Sequence, residues 1–532
     1  MHKVLVTDNI LEQGLAPIYE HPSFIVERWT GTSQEELMER IGDFDVLIVR
    51  SQTQVTEELL ARASKLRVIA RAGVGVDNID LQAATRKGII VINAPGANTI
   101  AAAEHTFAMI LAMARNIPQA HESMMRGCWD RSSFQGIELN KKTLGIIGMG
   151  KIGTEVAKRA KSFNMSILGY DPYLTEERAE SLGIRKSSLD EIARESDFIT
   201  LHTPLINSTR NLINEDYLKK TKNGVRIINC ARGGIIDEKA LLNAVNTGAV
   251  AGAALDVFAA EPPQDSTLLQ HPQIIKTPHL AASTIEAQEK VAAEVSQEII
   301  EILEHGSIHN AVNLNAISGE AQQRMQPFLQ LGEWVGQLAI QLLKNAPDKI
   351  NIHYSGNLLD EDTDFLSRTI IKGILSHHLT DSVNIINAYH LLKEQGIPYT
   401  VQKNSKNKGF SNYMELILQQ KNETAVIGAT VLDGYGARIV QLNHYPVDIR
   451  PEKYLLFIKH TDVPGMIGQV GSLLGNHQIN IGTMQVGRAD KGGDAIMVLT
   501  LDKKIDEKLL QQLPLIKGLK EAQMLELAVV SD

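Results

Sequence analysis

Cysteine is nearly absent from this chain of 532 residues, which carries only Cys128 and Cys230. Two thiols cannot build a disulfide framework and show no metal-ligand spacing, so a disulfide-stapled scaffold is excluded and no metal centre is expected. An excess of positive charge is missing too: 53 lysines and arginines stand against 62 aspartates and glutamates, a formal net charge of -9. That balance argues against nucleic acid as the main partner, while leaving room for a local basic pocket. Long apolar runs are also lacking. The most apolar helical candidate, Ile100 to Ala114, is interrupted by Glu104 and His105 and is too short to span a bilayer. The amino terminus, Met1 to Asp8, enters a strand pattern directly, without the apolar core of a signal peptide. There is no low-complexity segment and no strong short-period repeat. The expectation is a globular protein of the reducing cytoplasm with a small-molecule partner, no membrane and no nucleic acid.

The length implies about two to four domains. Strand-like runs at Val4 to Thr7, Val46 to Val49, Val68 to Arg71 and Ile89 to Ile92 alternate with helical segments, the pattern of an α/β unit with a parallel sheet. An alanine-rich helix from about Thr99 to Met113 follows. Alternation restarts from Thr143 to His279, and a long helix from about Thr284 to His305 closes the second unit. Its position suggests that the chain returns to the first unit, which is then discontinuous: residues 1–98 with 285–318, around a nucleotide unit of 99–284. The next stretch, 319–450, mixes helix and strand patterns without a glycine-rich loop. The last, 451–532, reads βαββαβ, a ferredoxin-like module. The fold class is therefore α/β, with two flavodoxin- or Rossmann-like parallel-sheet domains followed by an α+β domain and a ferredoxin-like one.

Lys142 to Gly153 is a strand running into G-x-G-x-x-G. Gly148 allows the tight turn, Gly150 lets the backbone approach a pyrophosphate, and Gly153 lets the next helix pack closely. The amino terminus of that helix attracts the pyrophosphate charge. Strand Ser166 to Tyr170 ends in Asp171, at the spacing of an acid that takes the ribose hydroxyls, which favours NAD over NADP. A lone glycine motif is weak, but here strand, helix and acid agree. Gly73 and Gly75 lack the third glycine and read as a turn, one that faces the nicotinamide if it takes part at all.

Three residues complete the chemistry. Arg232, Glu261 and His279 follow apolar stretches that read as buried strands, Val225 to Cys230, Ala251 to Phe258 and Ile274 to Thr277. The carboxyl ends of strands line the ligand crevice of an open parallel sheet. A 2-hydroxy acid needs a cation for its carboxylate and a base for its hydroxyl proton, and a carboxylate beside the histidine raises its pKa. Taken singly, each has a bland reading: a surface arginine, a helix-start glutamate before Pro262, a histidine satisfied in a turn. Together, after successive strands of a nucleotide unit, they favour function.

These residues resemble the D-isomer-specific 2-hydroxyacid dehydrogenases and, more closely, their long, regulated D-3-phosphoglycerate dehydrogenase branch. The resemblance covers essentially the whole chain. It is carried by Arg71-Ala72-Gly73-Val74-Gly75-Val76-Asp77-Asn78, the glycine loop, Asn229 to Gly234, Ala254 to Phe258 with Glu261-Pro262-Pro263, and Pro278-His279-Leu280. It implies cofactor contacts at Val74, Lys151, Ile152, Asp171, Thr203, Cys230, Ala231, Arg232, Asp256, His279, Leu280, Ala281 and Ala282. Val74 stands where the family pattern has a hydroxyl residue, so only its backbone is expected to reach the cofactor. Arg50 and Arg71 are implied contacts for a substrate phosphate or carboxylate; as ordinary residues they would be rim salt bridges.

His460 to Ile467 with Asn480-Ile481 resembles an ACT domain, which binds amino acids at subunit interfaces. His460, Asp462 and Asn480 are the implied L-serine contacts, with Asp462 standing where an amide would suit a ligand carboxylate better. If serine does not bind, Pro464-Gly465 is a helix start and the module serves pairing. Residues 319–450 resemble the intervening domain of the long enzymes. The resemblance implies NAD-dependent oxidation of D-3-phosphoglycerate to 3-phosphooxypyruvate, the first step of L-serine biosynthesis, by a homotetramer. Rival substrates are glyoxylate, hydroxypyruvate and 2-oxoglutarate; the tail and the two arginines argue against the first two. An NAD-sensing binding protein built on the same core would keep the triad, but the acidic balance and the amino-acid-binding tail favour an enzyme.

Overall fold

The computed structural model describes residues 1–528 apart from 265, 316–318, 344, 380–382, 406, 407, 422 and 489. Strands His2–Val6, Phe24–Arg28, Val46–Val49, Val68–Arg71 and Ile90–Asn93 form a parallel sheet in the order second, first, third, fourth, fifth. Val46–Val49 is buried throughout, because helices cover both faces of a parallel sheet; its residues therefore read as an unbroken apolar run. Phe24–Arg28 has no such run. It is an edge strand whose only fully buried residue is Phe24.

After Asn93 the chain crosses to the second sheet through helix Thr99–Ala114. This helix packs Ala102, Ala103 and Phe107 against Val156 and Ala160 of helix Lys151–Ser162. The second sheet is parallel and seven-stranded. From one edge it runs Ile274–Lys276, Val250–Leu255, Val225–Asn229, Phe198–Leu201, Thr143–Ile147, Ser166–Tyr170 and Arg185–Lys186. Strand order reverses between Thr143–Ile147 and Phe198–Leu201, which opens the crevice where ligands bind such sheets.

The strand expected over Ala251 to Phe258 ends at Leu255, since Asp256 leaves the sheet to hold a neighbouring loop. The chain returns to the first unit through helix Ile285–Ile300, capped by Thr284, whose hydroxyl accepts from the Ala287 N–H. Val291, Ala292, Val295 and Ile299 share a core with Val4 and Val6. The expected continuation to His305 is wound in wider turns over Glu301–His305 and stops at Gly306, at φ 70°.

The third unit is a mixed sheet. Strands Tyr399–Lys403, Lys349–Gly356, Asn412–Gln420, Glu423–Leu432, Gly436–Leu442 and Tyr445–Ile449 lie side by side in that order, with helices Gly319–Gln341 and Asp364–Leu375 packed together. It grips the first unit through Asn384, whose Nδ2 donates to the Gly88 carbonyl at 2.8 Å. The last unit is antiparallel: Ile481–Arg488, Asp494–Leu501, Tyr454–Thr461, Leu519–Glu526. Its helices Met466–Asn476 and Glu507–Gln512 complete the ferredoxin-like pattern. Among the described residues no helix is long and apolar enough to cross a membrane.

Gly14 marks where the returning helix meets the first unit. A Cβ there would lie 2.5 Å from Ala292 Cβ and 2.7 Å from the Glu289 carbonyl oxygen. Gly14→Val should therefore destabilise by about 1–3 kcal/mol through overpacking, read as a lower midpoint in thermal unfolding. An unchanged midpoint would mean that the helix can draw back freely.

Candidate active site

The glycine loop lies at the crevice. Gly148 has φ 100°, and a Cβ there would collide with the carbonyl of His202 on the neighbouring strand end. A Cβ at Gly153 would strike the Gly148 carbonyl, whereas at Gly150 it would meet nothing within 4 Å. The loop is thus tight inside and open outward. No side chain caps helix Lys151–Ser162, so its first N–H groups face the open side, as an anion site requires.

Asp171 is held beside the loop: its Oδ2 accepts from the Met149 N–H at 3.0 Å and its Oδ1 from the Tyr173 N–H at 2.9 Å. Thr203 Oγ1 is buried without a hydrogen-bond partner, a polar atom that a bound nucleotide can satisfy. The cradle at Gly150 and this orphaned hydroxyl fit NAD. Val74 presents its backbone, with its carbonyl accepting from Asn93 Nδ2 at 2.6 Å. Cys230 is buried, and burial above all, with Asp256 beside it, pushes its thiol up to about 12. It is a neutral wall of the crevice.

His279 and Glu261 meet across 2.7 Å, Nδ1 to Oε2. The hydrogen bond it donates to Glu261 holds the imidazole above its ordinary pKa, against the opposing effect of burial. Burial alone would raise Glu261; the bond and charge of His279 and the Phe258 N–H outweigh it and hold the carboxyl low. The ring projects from a residue at φ 54° whose N–H donates to the Asp256 carbonyl at 2.9 Å. A hollow of about 410 Å³ lined by Phe258, Leu269 and Pro263 adjoins the pair.

Arg232 comes from the second unit but reaches the first: its Nε lies 3.2 Å from Asp77 Oδ2. Gly75 leaves room for its guanidinium, since a Cβ at that position would collide with Nη2. The turn reading of Gly73 and Gly75 thus acquires a purpose. Asn229 shapes the arginine's loop by donating from Nδ2 to the Arg232 carbonyl at 2.9 Å and accepting from the Ala231 N–H at 3.0 Å. Arg71 is pushed down to about 10, first by burial and then by the charges of Arg232 and Arg50. Arg50 of the first unit and Arg232 of the second thus lie near enough for their charges to act on Arg71. Neither Arg50 nor Arg71 has an ion pair among the described residues, and Arg71 Nε is buried without a partner. This is not the arrangement of rim salt bridges.

Sequence reasoning passed over the residues that hold these loops. Asp8, 3% exposed, accepts from the N–H groups of Arg50 at 2.6 Å and Gln52 and Thr53 at 3.2 Å. Asn78 Nδ2 donates to the carbonyls of Arg50 and Thr53. His105 Nε2 lies 3.2 Å from Asp256 Oδ1. Only the positions of Asp8 and Asn78 next to strand ends and the glycine turn could have signalled them.

In the last unit, His460 is 2% exposed, with Nδ1 at 2.9 Å from the Thr461 carbonyl and Nε2 buried without a partner. Asp462 accepts from the Gly492 N–H at 3.1 Å, the main cause of its lowered pKa. Asn480 Nδ2 donates to Asp502 at 2.8 Å. His460 pairs with Ala495 while Ile481 pairs with Leu501, so Asn480 lies at the other end of the shared strand, roughly 20 Å away at 3.4 Å per residue. One copy does not bring these three residues together.

Residues 107–281 match the family described as D-isomer specific 2-hydroxyacid dehydrogenase, NAD binding domain. Residues 324–443 match the D-3-phosphoglycerate dehydrogenase intervening domain, and 454–513 the ACT domain. The chain is 43% identical over 528 residues to the D-3-phosphoglycerate dehydrogenase of Bacillus subtilis, covering 99% of this chain and 100% of that one. It is also 43% identical over 529 residues to that of Methanocaldococcus jannaschii, with the same coverage. A D-lactate dehydrogenase from Aquifex aeolicus, solved with NAD and lactic acid, superposes with a TM-score of 0.52 at 29% identity, covering 59% of this chain and 100% of that one. A glyoxylate reductase from Paecilomyes thermophila gives a TM-score of 0.54 at 31% identity, over 58% and 98%. NAD is accordingly the cofactor. Likeness at this level along the full chain, with the three modules matched in order, makes it a member of the D-3-phosphoglycerate dehydrogenase family within the D-isomer-specific 2-hydroxyacid dehydrogenases.

Proposed function

We propose that the chain oxidises D-3-phosphoglycerate to 3-phosphooxypyruvate with NAD, the entry step of L-serine synthesis. The observation that carries this reading is the convergence of Arg50, Arg71 and Arg232, two of them without a carboxylate partner, beside the His279–Glu261 pair. A phosphate and a carboxylate on one small molecule suit such a cluster; glycerate, with a carboxylate alone, does not fill it.

Arg232 takes the substrate carboxylate with its planar fork, and Arg50 and Arg71 take the phosphate. With Nδ1–H donated to Glu261, the neutral ring of His279 keeps its lone pair at Nε2. That nitrogen receives the proton of the substrate hydroxyl, and Glu261 stabilises the resulting imidazolium. NAD, when bound, supplies the acceptor for the hydride that leaves the same carbon. In the reverse direction, Nε2–H returns its proton to the oxygen of the reduced carbonyl.

The division into residues 1–98 with 285–318 and 99–284 belongs to this reading, supported by the returning helix in the first core. So does L-serine as effector. The unpartnered Nε2 of His460 supports it, and the separation of His460 from Asn480 favours a site completed between two copies, in line with a homotetramer. A cytoplasmic location fits a pathway enzyme with only two cysteines, both free.

Purified protein with NAD should form NADH from D-3-phosphoglycerate and much less from D-glycerate; equal rates would remove the phosphate role. Adding L-serine should lower the rate, and indifference to it would leave the last unit a role in assembly alone. Arg50→Gln and Arg71→Gln should each lose about 1.5–3 kcal/mol of charged hydrogen bonding, about 10- to 100-fold in kcat/KM, with NADH affinity kept.

The oxidation rate should rise with pH as the His279 imidazole loses its proton, with a midpoint above the ordinary value of about 6.5. Glu261→Gln removes the main cause of that shift, so the rising limb should move to lower pH. A limb that stays put would separate Glu261 from the proton affinity of His279.

A further inference from the structure

We propose that His105 is a positioning residue for His279, acting through the buried carboxylate of Asp256; the proposal rests on the role given to His279 above. Helix Thr99–Ala114 is apolar except for a few positions. Glu104 is explained by its pair with Arg159 at 3.3 Å on the surface. His105 points the other way, to Asp256, which is 0% exposed.

Asp256 Oδ1 accepts from the Thr277 hydroxyl at 2.6 Å and the Leu280 N–H at 2.8 Å, and Oδ2 accepts from the Ala281 N–H at 2.9 Å. His105 Nε2 sits 3.2 Å from the same Oδ1 and 3.3 Å from Thr277 Oγ1. The Thr277 hydrogen is already donated to Asp256, so both neighbours of Nε2 are acceptors. Nε2 therefore carries hydrogen, and the tautomer follows from the contacts.

A buried carboxylate is tolerated only while its lone pairs are filled. Burial would by itself drive Asp256 upward in pKa. The His105 bond is the foremost of the contacts that outweigh it and keep the group low. The same carboxylate fixes Leu280 and Ala281, and its backbone carbonyl fixes the N–H of His279 in its left-handed conformation. His105 thus ties the helix by which the chain enters the nucleotide unit to the loop that carries the reacting imidazole. Loosening that tie frees the loop that sets the ring's position, and a misplacement of about 1 Å is enough to cost rate.

His105→Leu removes the donor, and His105→Gln keeps an N–H at a similar reach. With wild-type chain active on D-3-phosphoglycerate, the leucine variant should lose up to about 10²-fold in kcat, and the glutamine variant should recover most of it. In the unloaded chain, amide hydrogen exchange over residues 277–282 should quicken in the leucine variant and return toward wild type in the glutamine variant. Wild-type kcat and exchange in the leucine variant, or equal losses in both variants, overturns the proposal. An inactive wild-type chain would sink the assigned substrate instead, and the exchange comparison would still decide the tie between His105 and the loop.

Discussion

The buried carboxylate of Asp256 is the constraint on which the site depends. It has no solvent to share its charge, so protein groups must fill its lone pairs. Most of those groups belong to the loop after strand Ile274–Lys276, and the loop cannot take another course without stranding the charge. The left-handed backbone of His279 costs energy for a residue with a side chain, and this anchorage holds it there. Asp8 repeats the device in the first unit. It too lies just past the end of a parallel strand, is buried, and gathers backbone N–H groups of one loop, here those of Arg50, Gln52 and Thr53. One buried aspartate shapes the loop that presents a histidine, the other the loop that presents an arginine.

Across the cleft the electrostatics are unbalanced by construction. Arg232 and Arg50 both repel the buried Arg71, and burial weakens the solvent's ability to relieve it. Asp77 offers partial compensation, to Arg232 at 3.2 Å and, with Asp8, to Arg71. An anion entering the cleft removes repulsion already present in the free protein, so part of its affinity is built in before any contact forms. Arg71, though pushed down to about 10, still carries its charge near neutrality, so the imbalance persists there.

The sheets were legible because buried parallel strands are apolar on both faces, and the triad because each member follows such a strand. Phe24–Arg28 was not, since its short run Phe24-Ile25-Val26 gives way to Glu27 and Arg28 and only Phe24 is buried. His105 was visible only as an interruption of an apolar helix; its partner is 151 positions away in the chain, beyond any local pattern. The strand end at Leu255 was misjudged for the same reason. Val257 and Phe258 continue the apolar run and are buried, but Asp256 has left the ladder for residues 24 and 25 positions on. In the last unit the family resemblance joined His460 to Asn480, while antiparallel pairing sets them beside opposite ends of strand Asp494–Leu501.

The chain passes between the first two units twice, once into helix Thr99–Ala114 and once back through helix Ile285–Ile300. A body joined to another by one thread can swivel and twist about it. Joined by two, it keeps a single easy motion, rotation about the line through both crossings. The connectivity thus limits the paths by which Arg50 and Arg71 of one unit can approach His279 of the other.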